Sequence, residues 1–376
     1  MPEENEYSLK AKASKKRIAA PDLPYLPHDP ENYRPAIGLI ACGGITESHL
    51  TAYSKAGYRV TALCDLIIER VEKRRKQFYP EAFVTTDYRE LLDRADIEVV
   101  DIATHPQDRP PLIEAALKAG KHVLSQKPFA LNLDTGERLV RLADQEGKKL
   151  AVNQNGRWAP HFSYLREAVK HGLLGDLRSL HFDVHWDHSW TQNTPFERIR
   201  DLILYDFGIH WFDLTSCLLG ERKPDTVFAT RSRAAGQTMA SSLLAEAMIS
   251  FPGGQASLVF DGFLKHGSLD RTYAGGSAGT FVSEGADLGS QKAVLYTQKG
   301  SARVTLEGKW FTDGFHGTMG ELLCAIEEDR EPVNSARENL NSLALCFAAI
   351  ASADEGVPKR PGDVRSLPAG AAPGAG

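Results

Sequence analysis

Several features that would place this chain in a specialised class of proteins are missing from its sequence. The 376 residues include 5 cysteines, an odd number without a Cys-x-x-Cys pair, so neither a disulfide framework nor a cysteine metal site is indicated. No apolar run reaches the roughly 20 residues that span a bilayer. Positive charge is not in excess, because 44 Lys and Arg stand against 49 Asp and Glu. We therefore expect a cytoplasmic protein with free thiols and with no nucleic-acid or membrane partner.

The two ends of the chain differ in composition from the rest. Residues 1–34 are polar and then rich in proline, which predicts an extended arm. The basic start KAKASKKR is not followed by the apolar core of a secretory signal. Residues 356–376 are rich in proline, glycine and alanine, which predicts a flexible tail. The chain between them is long enough for two domains, which we place at 35–155 and 156–355.

In the first of these domains, short apolar runs alternate with amphipathic segments. The predicted strands are 36–41, 58–65, 82–85, 98–104, 121–126 and 149–153. Glycines after the intervening helices mark their C-terminal caps. This alternation is typical of βαβ units and predicts a doubly wound parallel sheet of the α/β class.

From residue 156 the pattern changes to strands joined by glycine-containing turns. The predicted strands are 177–188, 225–233, 242–251, 255–262, 279–284, 291–297 and 301–306. The predicted helices are 160–171, 204–214, 314–328 and 336–351. Turns such as PGG suggest hairpins, so we expect an α+β domain with a large, mostly antiparallel open sheet.

A glycine-rich turn, ACGGIT, follows the first predicted strand. Such a turn lets backbone N–H groups approach a pyrophosphate at the next helix N-terminus, which nominates Gly43, Gly44 and Ile45. Only the middle glycine of the dinucleotide fingerprint is present, so a purely structural turn is an open alternative. Asp65 ends the next strand, where a carboxylate binds an adenosine ribose and repels a 2′-phosphate. Asp65 therefore favours NAD over NADP, unless it is only the N-cap of the following helix.

Lys127 lies just after a predicted buried strand, in GKHVLSQKPFA. Because proline disfavours the α region for the residue before it, we expect the lysine at the carboxyl end of the strand. That edge borders the crevice where doubly wound folds bind ligands, and there a lysine can hydrogen-bond a substrate oxygen. The alternative is an ordinary surface lysine.

The stretch LYDFGIHWFDL carries Asp206, His210 and Asp213 among apolar residues. On a helix these positions share one face, which predicts a polar stripe that points into a cleft. A histidine there suits a general base, because its ordinary pKa lies near neutral pH. The alternative is a buried histidine that Asp206 satisfies, and for Asp213 a structural role is the simpler interpretation.

A second polar and aromatic cluster, HWDHSW, ends the first strand of the second domain. Asp187, His188 and Trp190 would give polar contacts and a stacking face for a sugar ring. The alternative is an aromatic strand end at an interface. His185 and His188 would face opposite sides of a strand, so we expect no metal site.

Five motifs in order, IACGGI, CD, DIATHP, AGKHVLSQKP and DFGIHWFD, resemble the glucose–fructose oxidoreductase / inositol dehydrogenase (Gfo/Idh/MocA) family over about residues 35–350. The resemblance implies a Rossmann-type domain that holds a nicotinamide cofactor, and a second domain whose sheet supports the substrate and often an oligomer interface. It implies that Lys127 works at the reacting hydroxyl and that His210 is the acid/base. Asp206 would bind substrate or orient His210.

The resemblance also extends the cofactor site and shows three departures. It implies cofactor contacts at Thr104, His105, Gln126, Lys127, Arg157 and Trp158, with a domain hinge as the alternative for the last two. Ala41 replaces the usual first glycine of the turn and Thr46 its common small third residue, which would weaken or reshape pyrophosphate binding. Gln126 replaces a glutamate and so removes a negative charge beside Lys127, which would leave the pKa of that lysine less elevated.

We therefore expect an NAD(H)-dependent oxidoreductase that acts on a ring hydroxyl or ketone of a sugar, sugar derivative or cyclitol, and that forms a homodimer or homotetramer. One alternative is a lyase or glycosidase that retains NAD and oxidises its sugar only transiently. Another is a non-catalytic cofactor-sensing protein, which the degenerate glycine turn suggests. Fold alone does not separate these functions.

Overall fold

Two β-sheets organise residues 16–368, the part of the chain that the computed structural model describes. The first sheet has the strand order β3-β2-β1-β4-β5-β6, and its neighbouring strands are parallel. These strands are β1 (Ala36–Ile40), β2 (Arg59–Cys64), β3 (Phe83–Thr85), β4 (Ile97–Ile102), β5 (His122–Gln126) and β6 (Leu150–Asn153). The predicted doubly wound sheet is confirmed. Its order reverses between β1 and β4, where sheets of this kind bind ligands.

Five helices follow the strands of the first sheet. They are α1 (Thr46–Ala56), α2 (Ile68–Phe78), α3 (Tyr88–Leu92), α4 (Arg109–Lys118) and α5 (Leu133–Gln145). Helix α5 shows why such a segment forms a helix. The side chain of Asn132 caps its start by accepting a hydrogen bond from the backbone N–H of Thr135. Leu139 and Val140 are buried on the apolar stripe of the helix. Gly57 ends α1 in the left-handed conformation, as the glycine pattern predicts.

The second sheet has eight strands in the order β14-β13-β12-β11-β7-β10-β9-β8. They are β7 (Leu177–His185), β8 (Thr226–Ser232), β9 (Leu244–Phe251), β10 (Gly254–Asp261), β11 (Leu269–Gly276), β12 (Gly279–Gly285), β13 (Gln291–Thr297) and β14 (Gly300–Val304). Strands β7 and β10 are parallel, and the other neighbouring pairs are antiparallel. The prediction of a large, mostly antiparallel sheet is confirmed.

Strand β11 has no counterpart among the predicted strands, although it lies between β7 and β12 in the middle of the sheet. Its inward-facing side chains include Asp270 and Thr272, both 1% exposed. Polar residues at buried positions obscure the alternation of apolar and polar residues by which a strand is recognised. The sequence therefore carried no clear signal for this strand.

Four α-helices follow the first sheet in the described chain: α6 (Pro160–Lys170), α7 (Ile209–Leu219), α8 (Trp310–Glu327) and α9 (Ala336–Glu355). Helix α9 packs on α7 and β8, whereas α8 returns to the first sheet and packs on α1 and β6. Helix α8 begins before the predicted residue 314. A Cβ at Gly314 would come within 2.7 Å of the Asn155 carbonyl oxygen, so the glycine permits close packing while weakening the helical signal.

The segment predicted as one helix, 204–214, is interrupted. Residues Ile203–Phe207 form a π-helical turn that precedes α7. The backbone N–H of Gly208 donates to the carbonyl of Ile203 at 2.6 Å, five residues back instead of the four of an α-helix. The extra residue turns Asp206 out of the α-helical register, so the prediction of one continuous polar stripe is wrong.

Asp213, on α7, is buried in an ion pair and does not point into a cleft, in agreement with the structural role that was the simpler interpretation of its sequence position. Its carboxylate, 1% exposed, lies 2.6 Å from Nε and 2.7 Å from Nη2 of Arg157. Ser342 of α9 donates to the same carboxylate at 2.8 Å, and Arg157 also donates to the Val333 carbonyl. Burial lowers the pKa of Arg157, but Asp213 outweighs it and raises that pKa above the ordinary value, so the guanidinium stays charged. The pair thus joins the end of the first sheet to α7 and α9.

The arm and the tail are described in part, and residues 1–15 and 369–376 lie outside the described range. The backbone N–H of Ile18 donates to the Ser301 carbonyl at 3.0 Å, so the described arm starts beside β14. The five cysteines all fall within the described chain and carry free thiols. Among the described helices, none is long and apolar enough to cross a membrane.

We predict that Asp213→Asn destabilises the fold, because it leaves the buried Arg157 guanidinium without a counter-charge. The free energy of unfolding should fall by about 3 kcal/mol, measured by denaturant titration. The matched control is Asp144→Asn, which breaks an exposed pair with Arg337 and should cost under about 1 kcal/mol. Equal stability losses in the two variants would contradict the structural role of Asp213.

Candidate active site

The turn after β1 keeps the shape of a glycine-rich loop despite its substitutions. Ala41 adopts a left-handed backbone with φ 79°, a conformation that costs a non-glycine residue roughly 1–2 kcal/mol. Gly43 and Gly44 face open space, because a Cβ at either position would meet no atom within 4 Å in the described chain. Thr46 turns its hydroxyl inward and donates to the Gly43 carbonyl at 2.7 Å. The departures at Ala41 and Thr46 therefore leave an open cradle in front of α1.

Asp65, which follows β2, is hydrogen-bonded to this turn. One carboxylate oxygen accepts the backbone N–H of Cys42 at 2.7 Å, and the other accepts the backbone N–H of Ile67 at 2.9 Å. The helix cap at the start of α2 is Ile67 and not Asp65. The carboxylate therefore links the glycine-rich turn to the next strand, and it is still partly exposed.

Polar atoms without partners collect where the strands of the first sheet end. Among residues 16–368, no hydrogen bond reaches Thr104 Oγ1, Asn153 Nδ2 or either amide atom of Gln154, and all of these atoms are buried. Such atoms are normally paired by a ligand or by water. His105 follows Thr104 in the same loop and is exposed. Together with the open turn, these hydroxyl and amide groups fit the polar edges of a bound dinucleotide. Gln154 was missed by the sequence analysis, since an isolated glutamine carries no motif.

Lys127 reaches across from the first sheet to the segment before α7. Its Nζ donates to the backbone carbonyl of Asp206 at 2.7 Å and lies 3.3 Å from the Asp206 carboxylate. The two side chains are 17% and 25% exposed, so Lys127 is not an ordinary surface lysine. This contact unites two predicted site residues that are 79 positions apart in the chain.

His210 is buried at the start of α7, at 7% exposure. Its ring is packed edge-on to Trp310, with centroids 5.5 Å apart, and its Nδ1 has no hydrogen-bond partner within the described chain. Burial, and after it the positive charge of Lys127, hold the pKa of His210 well below 6.5. The imidazole is therefore unprotonated at neutral pH. No hydrogen bond joins it to Asp206 among the described residues, so the alternative of a histidine satisfied by that aspartate is not supported.

Arg109 is a central residue that the sequence analysis missed. Its guanidinium, at 1% exposure, donates to the backbone carbonyls of Thr104, Gln126 and Pro128. These carbonyls come from the ends of two adjacent strands, and two of them flank Lys127. Burial lowers the pKa of Arg109 to about 10, so the group remains charged at neutral pH. The only sequence signal was an arginine at the first position of a helix, which by itself indicates a solvated end.

Aromatic rings line the side of the site formed by β7 and the π-helical turn. His188 is 6% exposed. The centroid of its ring lies 4.2 Å from that of Phe207 and 5.9 Å from that of Trp186, on which it stacks. Burial lowers the pKa of His188 to about 4, although Asp206 and Asp187 oppose the shift. Trp190 is 62% exposed and contacts His188, so it offers an open ring face beside a neutral imidazole.

Three predicted site residues, Asp187, Arg157 and Trp158, use their side chains in contacts outside the site. Asp187 accepts the Ser189 backbone N–H at 2.9 Å and Lys265 Nζ at 3.0 Å near the surface, so the geometry favours His188 over Asp187 for a substrate contact. Arg157 is paired with Asp213. The Trp158 ring packs under Arg166 at 5.0 Å and against α8, where a Cβ at Gly317 would collide with it. The expected cofactor contacts of the Arg157 and Trp158 side chains are therefore not supported.

Two curated proteins with similar sequences are dehydrogenases of a sugar and of a cyclitol. The chain is 27% identical to a D-apiose dehydrogenase of Paraburkholderia graminis over 345 residues, covering 85% of this chain and 87% of that protein. It is also 27% identical to an inositol 2-dehydrogenase of Rhizobium meliloti over 331 residues, covering 85% and 96% of the two chains.

Solved structures share the fold at lower identity. An oxidoreductase from Agrobacterium radiobacter in complex with NAD+, L-tartaric acid and magnesium has a TM-score of 0.79 at 22% identity, with 88% of this chain and 99% of that one covered. A levoglucosan dehydrogenase in complex with NADH and levoglucosan has a TM-score of 0.76 at 19% identity, with 87% and 99% covered.

Family models cover most of the described chain. Residues 36–154 match the GFO/IDH/MocA model described as an oxidoreductase family with an NAD-binding Rossmann fold. Residues 162–282 match the model of the GFO/IDH/MocA C-terminal domain. The two matches include the first sheet, the π-helical turn and β7 to β11, which together carry the site. The protein is an oxidoreductase that belongs to the NAD-binding GFO/IDH/MocA family.

Proposed function

We propose that this protein is an NAD-dependent dehydrogenase that interconverts a ring hydroxyl and a ketone on a sugar, sugar derivative or cyclitol. The observation that carries the proposal is the meeting of Lys127, Asp206 and an unprotonated His210 at the carboxyl edge of an NAD-binding sheet. The names of the similar dehydrogenases support the substrate class.

In this proposal Gly43, Gly44 and Ile45 hold the pyrophosphate, Asp65 the adenosine ribose, and Thr104 and His105 line the cofactor at the next strand end. The bound nicotinamide supplies the hydride acceptor. Gln126 borders the cofactor through its backbone, since its side chain is engaged inside the protein.

The proton chemistry falls to His210 and Lys127. Removing a hydride from carbon requires that the hydroxyl proton be taken by a base. His210 is suited to this, because its depressed pKa keeps the imidazole neutral at neutral pH. Lys127 is charged and donates a hydrogen bond, so it can stabilise negative charge on the same oxygen. Asp206 holds the Lys127 ammonium in place.

The substrate ring would lie between these groups and the aromatic side of the site. Trp190 presents an exposed ring and His188 a neutral imidazole. Uncharged polar groups beside an aromatic face suit a neutral polyol, whose C–H face stacks while its hydroxyls make hydrogen bonds. This pairing of Trp190 with His188 therefore supports a sugar or cyclitol ring as the substrate.

We predict that His210→Asn lowers kcat by roughly 10²–10⁴ while NAD still binds, because a positioned base is lost. Lys127→Ala should also cripple turnover, and the double variant should lose far less than the product of the two effects, since both groups serve one oxygen. The assay follows NADH at 340 nm with the best substrate from a screen of sugars and cyclitols.

Activity of the unsubstituted protein should persist below pH 6.5 and fall only as His210 becomes protonated at its lowered pKa.

The matched control is His185→Asn, a histidine at the end of β7 that makes no contact with the proposed reacting groups in the described chain. It should turn over normally. Normal turnover in His210→Asn, or a loss explained entirely by unfolding, would contradict the assignment of the base. Conversion of substrate without net NADH would contradict simple dehydrogenation and indicate transient oxidation instead.

We predict that NAD binds more tightly than NADP, because the Asp65 carboxylate would repel a 2′-phosphate. Isothermal calorimetry with both cofactors measures the ratio. Asp65→Asn keeps the shape of the side chain and should narrow the difference. Asp87→Asn, at the end of the neighbouring strand β3, should leave the ratio unchanged. Tighter binding of NADP to the unsubstituted protein would show that Asp65 does not select the cofactor.

We predict a dimer or tetramer formed through the open face of the second sheet. On this face, the side of the strands away from α6, α7 and α9, three large apolar residues are exposed: Met248 at 61%, Tyr273 at 40% and Tyr296 at 38%. Sheet faces of this kind are usually covered. Sedimentation at micromolar concentration should therefore give a mass of at least twice 41.3 kDa.

A pair of variants tests the face itself. Met248→Arg should weaken the assembly, because the charge would have to be desolvated in the interface. Leu66→Arg, at a residue 90% exposed beside the first sheet, should not change the mass. A monomer in the unsubstituted protein, or an assembly that tolerates Met248→Arg but not Leu66→Arg, would rule out this face.

A further inference from the structure

A buried chain of hydrogen bonds runs from the interior of the first sheet to the backbone of Lys127. Nδ1 of His49, on α1, lies 2.7 Å from Oδ2 of Asp101 on β4. Nε2 of His49 lies 2.9 Å from Nε2 of Gln126, at the end of β5. Oε1 of Gln126 accepts the backbone N–H of Lys127 at 2.7 Å. His49 and Asp101 are fully buried and Gln126 is 6% exposed.

The partners determine the direction of each hydrogen bond in this chain. The oxygen of the Gln126 amide is taken by a backbone N–H, so its nitrogen must face His49 and donate. Nε2 of His49 is then the acceptor, and its proton resides on Nδ1, where Asp101 accepts it. The tautomer follows from the network and not from visible hydrogens. His49 is therefore a neutral imidazole with a donor on one side and an acceptor on the other.

The surroundings of His49 contain few other groups that could change this state. Tyr53, one turn further along α1, donates its hydroxyl to the same Asp101 oxygen at 2.7 Å. Phe315 of α8 stacks on the imidazole, with ring centroids 4.3 Å apart. Within the described chain, Asp101 and Tyr53 are thus the titratable groups in contact with His49. The chain of hydrogen bonds is closed to solvent and satisfied at every ring nitrogen.

The backbone around Lys127 is held from two sides. Arg109 binds the carbonyls of Gln126 and Pro128, on either side of the lysine. The Gln126 side chain binds the N–H of Lys127 itself and is held in turn by His49. Since Lys127 Nζ must reach the Asp206 carbonyl from this backbone, a shift at residue 127 would carry the ammonium away from its partner.

We propose that His49 is a positioning residue for Lys127, acting through the side chain of Gln126. It touches none of the proposed reacting groups, and its role rests on the proposed function of Lys127. The same chain explains why glutamine stands at position 126. A glutamate there has no N–H to give to the unprotonated Nε2, whereas the glutamine amide satisfies both neighbours without adding charge.

The first test separates positioning from stability. His49→Phe keeps the ring stack on Phe315 but removes both hydrogen bonds, and kcat should fall about 10- to 100-fold, the scale of a reacting group displaced by an ångström. His49→Gln presents an amide donor and acceptor and should recover part of the loss. Tyr53→Phe removes the other donor to Asp101 without touching Gln126, so it should lower the melting temperature and leave kcat unchanged. Equal effects of His49→Phe and Tyr53→Phe on kcat at matched stability would overturn the proposal.

The second test uses the charge of residue 126. In Gln126→Glu the side chain and Nε2 of His49 can form a hydrogen bond only while one extra proton is bound between them, on the imidazole or on the new carboxyl group. The variant should therefore be active at low pH and lose kcat as pH rises and this proton is released, whereas the unsubstituted protein should show no such loss. A pH profile of Gln126→Glu parallel to that of the unsubstituted protein would contradict the assigned proton arrangement.

The third test does not depend on turnover. Nitrogen-15 spectra of histidine-labelled protein should show one buried ring protonated at Nδ1 only, with a signal that disappears in His49→Gln. A doubly protonated or Nε2-protonated ring would overturn the proposal even if Lys127→Ala abolished activity. If instead Lys127→Ala left turnover intact, the proposed function would fail while this tautomer could still be observed, so the two failures are distinguishable.

Discussion

A buried ion pair between Arg157 and Asp213 sets the geometry on which the site depends. The arginine follows the last strand of the first sheet, and the aspartate lies one turn beyond His210 on α7. Both charges are removed from water, which is costly unless each is fully paired. The bidentate contact, together with Ser342 of α9, provides that pairing. The pair thereby fixes α7 against the Rossmann sheet and holds His210 on the side of the site where Lys127 lies.

Positive charge at the carboxyl edge of the sheet is arranged in two ways. Lys127 is balanced by the Asp206 carboxylate. Arg109 donates to three backbone carbonyls, so within the described chain its charge acts on the site without being neutralised in a local ion pair. Burial and the neighbouring ammonium together keep His210 unprotonated. In the proposed function, this places a neutral base beside a fixed cation, the combination that a hydroxyl oxygen needs when it loses its proton.

The fold was largely predictable because its signals are local. Short apolar runs between amphipathic segments identified the six parallel strands, and the glycine turns identified most of the second sheet. The missed strand β11 and the misplaced start of α8 have one cause. At both places, residues required by packing in the interior do not fit the local sequence pattern of a strand or a helix. Strand β11 places Asp270 and Thr272 inside the protein, and α8 carries Gly314 where a helix normally avoids glycine, because the Asn155 backbone lies against it.

For the site, the sequence determined which chemical groups exist, since a lysine before a proline and a histidine between two aspartates could be recognised in order along the chain. Only the tertiary structure decided their partners. Asp213 is the counter-charge of Arg157, 56 positions away, and the side chain of Gln126 is hydrogen-bonded to His49, 77 positions away. The physical reason is that a hydrogen bond depends on distances of about 3 Å and on direction, whereas sequence periodicity specifies at most the face of an element. The π-helical turn at Asp206 shows that one extra residue changes even that face.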